Sequence, residues 1–158
     1  MKISLSLFMI FLMLTSCSGQ DKAVPNCVQE NFKKIYPQAI GIDWDREGKF
    51  YTVEFDEERI EKEAWYDKDC NWRMTESDVS YMNLPRPILD AISNSSYSTW
   101  QIDDIDHIER NDHTPFYVVE IEQGERERML FYDATGKLLK DASTWDESYK
   151  NPDRTLDF

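Results

Sequence analysis

Glycine, histidine and cysteine are scarce in this chain: five, two and three respectively among 158 residues. None of the glycines falls in a G-x-x-x-x-G-K or G-x-G-x-x-G pattern, so no phosphate-cradling loop is present. No G-x-S-x-G elbow exists to activate a serine. The histidines, His107 and His113, stand six apart around a turn, a spacing that foretells neither a metal site nor a catalytic base. Basic charge is also in short supply. Against 31 Asp and Glu there are 18 Lys and Arg, a net charge of −13, which repels nucleic acid and anionic lipid headgroups. What is abundant is aromatic and apolar side chain, 13% and 41%, enough to exclude wholesale disorder. The composition describes a folded, acidic protein with no catalytic group, cofactor or metal site in evidence.

No apolar run is long enough to span a bilayer. The best is residues 3–14, behind Lys2, and twelve positions fall short of the roughly 20 that a helix needs to cross. A short positive start, an apolar stretch and a small-residue close form a secretory leader, expected over residues 1–16. Leu14-Thr15-Ser16-Cys17 resembles a bacterial lipobox, in which the cysteine becomes the lipid-modified first residue. The alternative is ordinary cleavage a few residues later, with Cys17 discarded. The expected product is an envelope protein, periplasmic or surface-facing, touching the membrane only through a lipid on Cys17. Residues 17–26 are its tether. The leader holds one Lys and no acid, so cleavage moves the net charge to −14. The remaining 142 residues suit one compact domain or two intimate halves. Such a charge favours a basic partner, or serves solubility alone. Cys27 and Cys70 are then a single pair in an oxidising compartment.

The chain also repeats itself. Residues 50–67 and 116–133 align without a gap at seven identities in eighteen, where chance gives about one. Around this core the apolar periodicity predicts a helix over 28–36, with Asn26 as a cap and Val28, Phe32 and Ile35 on its buried face. Strands follow from Ile40, at 50–56, at 59–66 and over 72–75. A second helix follows Leu84-Pro85-Arg86-Pro87, then strands at 101–109, 116–122, 126–132 and 138–142. The fold class is α+β: two tandem helix-plus-antiparallel-meander units, 27–83 and 84–143, forming one sheet with helices on one face. Residues 144–158 read as a polar tail with one anchoring aromatic, Trp145. If the first helix runs antiparallel to the first strand, Cys27 at its start meets Cys70 in the turn between strands three and four. A disulfide there is sterically reasonable.

Tyr51-Thr52-Val53-Glu54-Phe55 and Tyr117-Val118-Val119-Glu120-Ile121, then Phe131-Tyr132-Asp133 and Thr135-Gly136-Lys137-Leu138-Leu139, resemble the PepSY-like, or β-lactamase-inhibitor-like, family of secreted bacterial proteins. The Leu84-Pro85 start of a short helix fits as well. The first unit departs from the pattern, with Trp65-Tyr66-Asp67 for Phe-Tyr-Asp and Cys70 for the turn glycine. The resemblance covers about residues 27–142 and implies tandem units in one antiparallel sheet, whose open face grips another protein in the inhibitor branch. It carries over no inhibitory residue.

Alternation places Tyr51, Val53, Phe55, Tyr117, Val119 and Ile121 on the helix-covered face, and Phe50, Thr52, Glu54, Phe116, Val118 and Glu120 on the other. Phe50, Phe116, Trp65 and Phe131 are therefore candidate partner-binding residues, either open to solvent or closed under the tail and linker. Asp67-Lys68-Asp69-Cys70-Asn71 has the oxygen spacing of a calcium loop, but Trp72 stands where that loop turns on Gly and Asp78 where it ends on Glu. A plain Asx-rich turn is the better reading. The expectation is a non-catalytic envelope lipoprotein, an inhibitor-like or other protein-binding module for an unidentified, basic partner. The rivals are a small-ligand or cation-binding protein and a structural subunit of an envelope assembly.

Overall fold

A computed structural model describes residues 23–143 and 147–158. The leader, Cys17 and Trp145 lie outside these residues. The elements run α1 (Asn26–Ile35), β1 (Ile40–Glu47), β2 (Phe50–Glu57), β3 (Ile60–Tyr66), β4 (Trp72–Asp78), α2 (Arg86–Ser93), β5 (Gln101–Arg110), β6 (His113–Gln123), β7 (Arg126–Tyr132) and β8 (Leu138–Ala142). The strands form one antiparallel sheet whose spatial order is the sequence order, β1 through β8. Two hairpins share one register. Tyr51 pairs with Tyr66 and Glu57 with Ile60, while Tyr117 pairs with Tyr132 and Gln123 with Arg126, each pair displaced by 66 positions.

Both helices pack on the same face. Val28, Phe32 and Tyr36 close on Val53, Phe55, Ala64 and Tyr66. Ile88 and Ile92 close on Ile105, Val119, Ile121, Leu130 and Tyr132. The spacing 28, 32, 36 is one helical stripe, and it corrects the expectation for Ile35, which is exposed. Tyr36 takes the third buried place because its hydroxyl reaches Thr75 Oγ1 at 2.5 Å under the sheet. Burial pushes that phenol up to about 12. Asn26 is inside α1 rather than its cap. The carbonyl of Pro25 accepts the amides of Val28 and Gln29 at 3.0 and 3.2 Å.

Cys27 and Cys70 are joined, with Cα atoms 5.8 Å apart. The turn holding Cys70 is built on Asp67, whose Oδ1 accepts the amides of Asp69 and Asn71 at 2.9 and 3.0 Å. That carboxylate serves its turn, as in the Asx reading, and its Oδ2 also lies 3.8 Å from Arg73 Nη1 on β4. The turn before β8 repeats the device: Asp133 Oδ1 accepts the amides of Thr135 and Lys137. Gly136 occupies the position equivalent to Cys70. Its φ is +84°, and a Cβ there would meet the Pro87 carbonyl oxygen at 2.5 Å. One helix start is thus bonded covalently to its turn, and the other lies against a glycine.

β6 begins at His113, three residues before the expected start. A β-bulge between Ile108 and Arg110 absorbs Pro115, which has no amide to give the ladder.

Candidate functional site

The sheet face opposite the helices is divided into two chemically different halves. At the end near Cys70 it is apolar: Phe50, Trp65, Met74, Ile108, Phe116, Val118, Met129 and Phe131 form one buried cluster. All four candidate aromatics lie here. Phe50 and Trp65 are 7% and 3% exposed, and Phe116 and Phe131 at most 1%. They are closed, not open. Their cover is the C-terminal segment, through Tyr149, Leu156 and Phe158. The Phe158 ring stands 5.2 to 5.3 Å from those of His113, Phe116 and Phe131, and the Tyr149 ring 5.6 Å from Phe131. His113 is therefore part of the tail's seat.

Arg110 holds this segment down. Its side chain is 1% exposed. Nη1 donates to the carbonyls of Tyr149 and Asn151 at 3.2 and 3.0 Å. Nη2 donates to those of Pro152 and Arg154 at 3.2 and 2.9 Å. Nε and Nη2 also grip Asp112 at 2.9 and 3.0 Å, which holds that carboxyl below the usual range. A buried guanidinium needs its donors satisfied, and here four main-chain carbonyls and one carboxylate satisfy them. Arg73 adds a contact to the Pro152 carbonyl at 3.1 Å.

The other half of the same face is acidic. Glu54 stands opposite Glu63, Glu63 opposite Glu76, Asp78 opposite Asp106, Asp104 opposite Glu120, and Glu122 opposite Glu127. Like charges directly across a ladder are destabilising. Asp104, Asp106 and Glu120 bring carboxylate oxygens within 4.8 Å of one another. An all-oxygen set of this kind suits a hard cation, and an ammonium is already beside it. Lys150 Nζ lies 2.6 Å from Glu76 and 4.0 Å from Asp106, while the Tyr149 hydroxyl donates to Asp106 Oδ2 at 3.0 Å.

Desolvation first and neighbouring acids second push Asp106 and Glu63 up to about 7. Glu120 is held at about 7 for the same reasons, burial and then Asp104. Glu76 and Asp78 are raised too, chiefly by burial. Between the halves, an open cleft of about 820 Å³ runs along Phe50, Glu63 and Trp65 on one side and residues 150–153 on the other.

Sequence reasoning assigned the faces of β2 and β6 but missed Arg110, Tyr149, Lys150, Leu156 and Phe158. Their one legible signal was that Tyr149, Leu156 and Phe158 join Trp145 as apolar side chains in an otherwise polar tail.

The family model described as "Putative beta-lactamase-inhibitor-like, PepSY-like" matches residues 18–62 and 49–140. Among solved structures, a BLIP-like protein from Bacteroides fragilis is 35% identical with a TM-score of 0.71, over 80% of this chain and 93% of that one. A DUF2874 family protein from Bacteroides ovatus is 30% identical at a TM-score of 0.69, over 74% and 85%. A structure described as "putative periplasmic proteins" from Bacteroides eggerthii shares the fold at 21% identity and a TM-score of 0.68, over 75% and 87%. No curated protein matches the chain.

Proposed function

This chain belongs to the β-lactamase-inhibitor-like, PepSY-like family, and from that premise we propose that it is a non-catalytic protein-binding module of the bacterial envelope, using the sheet face opposite its helices. We read residues 27–83 and 84–143 as two copies of one unit, supported by the 66-residue offset of the two hairpin registers. The envelope location rests on the leader-like residues 1–16, and a lipid on Cys17 would tether the body. Its partner presents a basic surface.

One observation carries this reading: carboxylates face carboxylates across successive strand pairs. A fold gains nothing from such pairs. Natural sequences break local rules of this kind where a function requires it. A basic surface docked there would add counter-charge to that of Lys150, setting both encounter rate and specificity. The mechanism is steric occupation by a folded acidic body.

The test is capture from native envelope extract, with the mature chain as bait beside a Glu54→Gln, Glu63→Gln, Glu120→Gln variant. A basic protein retained by the wild type, released by salt and lost with the variant supports the reading. A partner kept equally by both baits removes the acidic half-face from the function.

A further inference from the structure

The segment that covers the apolar half-face is held in the manner of a bound peptide. Arg110 gives four hydrogen bonds to main-chain carbonyls of residues 149–154, contacts indifferent to side-chain identity. Specificity comes from four anchors at the two ends of that clamp. Tyr149 and Lys150 reach the edge of the acidic half, at Asp106 and Glu76. Leu156 and Phe158 lie on the aromatic cluster, Phe158 against Phe116 and Phe131. Apart from a short 3-10 turn, Glu147–Lys150, the segment forms no regular structure, and strand pairing does not hold it. A backbone clamp, a cation seat and an apolar seat are the parts of a peptide site.

We propose that the C-terminal segment is the internal occupant of a peptide-binding site, and that the site's external ligand is a segment of another protein with the same chemistry. That ligand carries an aromatic residue followed by a Lys or Arg, and an apolar pair about six positions on. This deepens the reading above, on which it rests, by naming a partner class and a regulation: the segment must leave before the partner binds. The cleft of about 820 Å³ beside residues 150–153 leaves room for an incoming chain to start at Phe50 and Trp65. Charge complementarity at Glu76 and Asp106 selects the basic anchor.

The experiment uses the whole mature chain and a fluorescein-labelled synthetic peptide of residues 147–158. Binding is read by anisotropy against wild type and a Leu156→Ala, Phe158→Ala variant, whose own tail is weakened without touching its seat. The variant should bind the peptide at least tenfold more tightly than wild type. A peptide with Glu in place of Lys150 should lose about tenfold on the variant, and an unrelated peptide keeping only the four anchors should still bind.

Three results overturn the proposal. One is no saturable binding to the variant when limited proteolysis shows its tail to be accessible. Another is equal binding to wild type and variant, which moves the contact elsewhere. The third is concentration-dependent dimerisation by exchanged tails, which makes a second copy the occupant. The readout involves purified components alone, so its failure is separable from a failed capture of a basic protein.

Discussion

Replacing Asp106 with Asn should stabilise the protein, and only above mildly acidic pH. Asp106 is 3% exposed and faces Glu76, Asp104 and Glu120, with Lys150 no nearer than 4.0 Å. Burial, then Glu76, raises its carboxyl from 3.8 to about 7. Below the lower value both the folded and unfolded chains carry the proton, and ionisation costs nothing. Between the two values the unfolded chain releases it while the folded chain keeps it, so stability falls as pH rises and levels off above the upper value. At about 1.4 kcal/mol per unit, the full shift corresponds to a ceiling of about 4 kcal/mol. That net shift already contains the attraction to Lys150; water penetration and relaxation around the buried carboxylate reduce it further, leaving an expected gain of about 2 kcal/mol near pH 8. The amide oxygen of Asn still accepts from the Tyr149 hydroxyl. For a chain of this size the gain is about 4–8 °C in Tm. Urea unfolding of wild type and Asp106→Asn at about pH 4.5, 6 and 8 measures it, with the difference opening across that series. A variant that is less stable at every pH, by a constant amount, would refute the reasoning, since the carboxylate would then be a net stabiliser.

Other consequences follow from the same geometry. Removing the Cys27–Cys70 bridge, which closes a separation of 43 residues, should cost about 2–4 kcal/mol through the freed unfolded chain; unfolding with and without reductant measures it. Gly136→Ala should cost more than about 2 kcal/mol, because its φ of +84° and the Pro87 carbonyl at 2.5 Å both oppose a side chain. Gly48→Ala, with open space around it at φ +57°, should cost only about 1 kcal/mol in the same urea series. Arg110→Gln strands four carbonyls and should make residues 147–158 cleavable by protease at least tenfold faster, while the sheet's circular dichroism is unchanged.

Much of the sheet could be read in advance because alternation and the repeat agree. Phe50, Phe116 and their neighbours fixed the parity of two strands, and the 66-residue offset carried it from one hairpin to the other. The end of each helix was harder. Pro25 starts α1 through its carbonyl, a contact that leaves no mark on side-chain pattern. The tail was harder still. Arg110 is one more charge at the end of a strand, and nothing local distinguishes it from Arg126, which is exposed. Its burial depends on partners about 40 residues away. Tyr149, Leu156 and Phe158 have no period, because they reach the face from an irregular backbone. The acids were visible one by one, but their opposition across the strands appears only with the register.

In this sheet each strand pairs with those next to it in the chain. It can zip from hairpin to hairpin, with little loop entropy to overcome at any step. The C-terminal segment is the exception: its bond from Arg73 to the Pro152 carbonyl spans 79 positions. Local closures form early, and remote ones wait for the surfaces they join. The order expected from this topology is a quickly assembled sheet and a late strap. In reverse, the strap is the part that opens without unfolding the rest. Amide exchange should reveal it as a separate, faster-opening step.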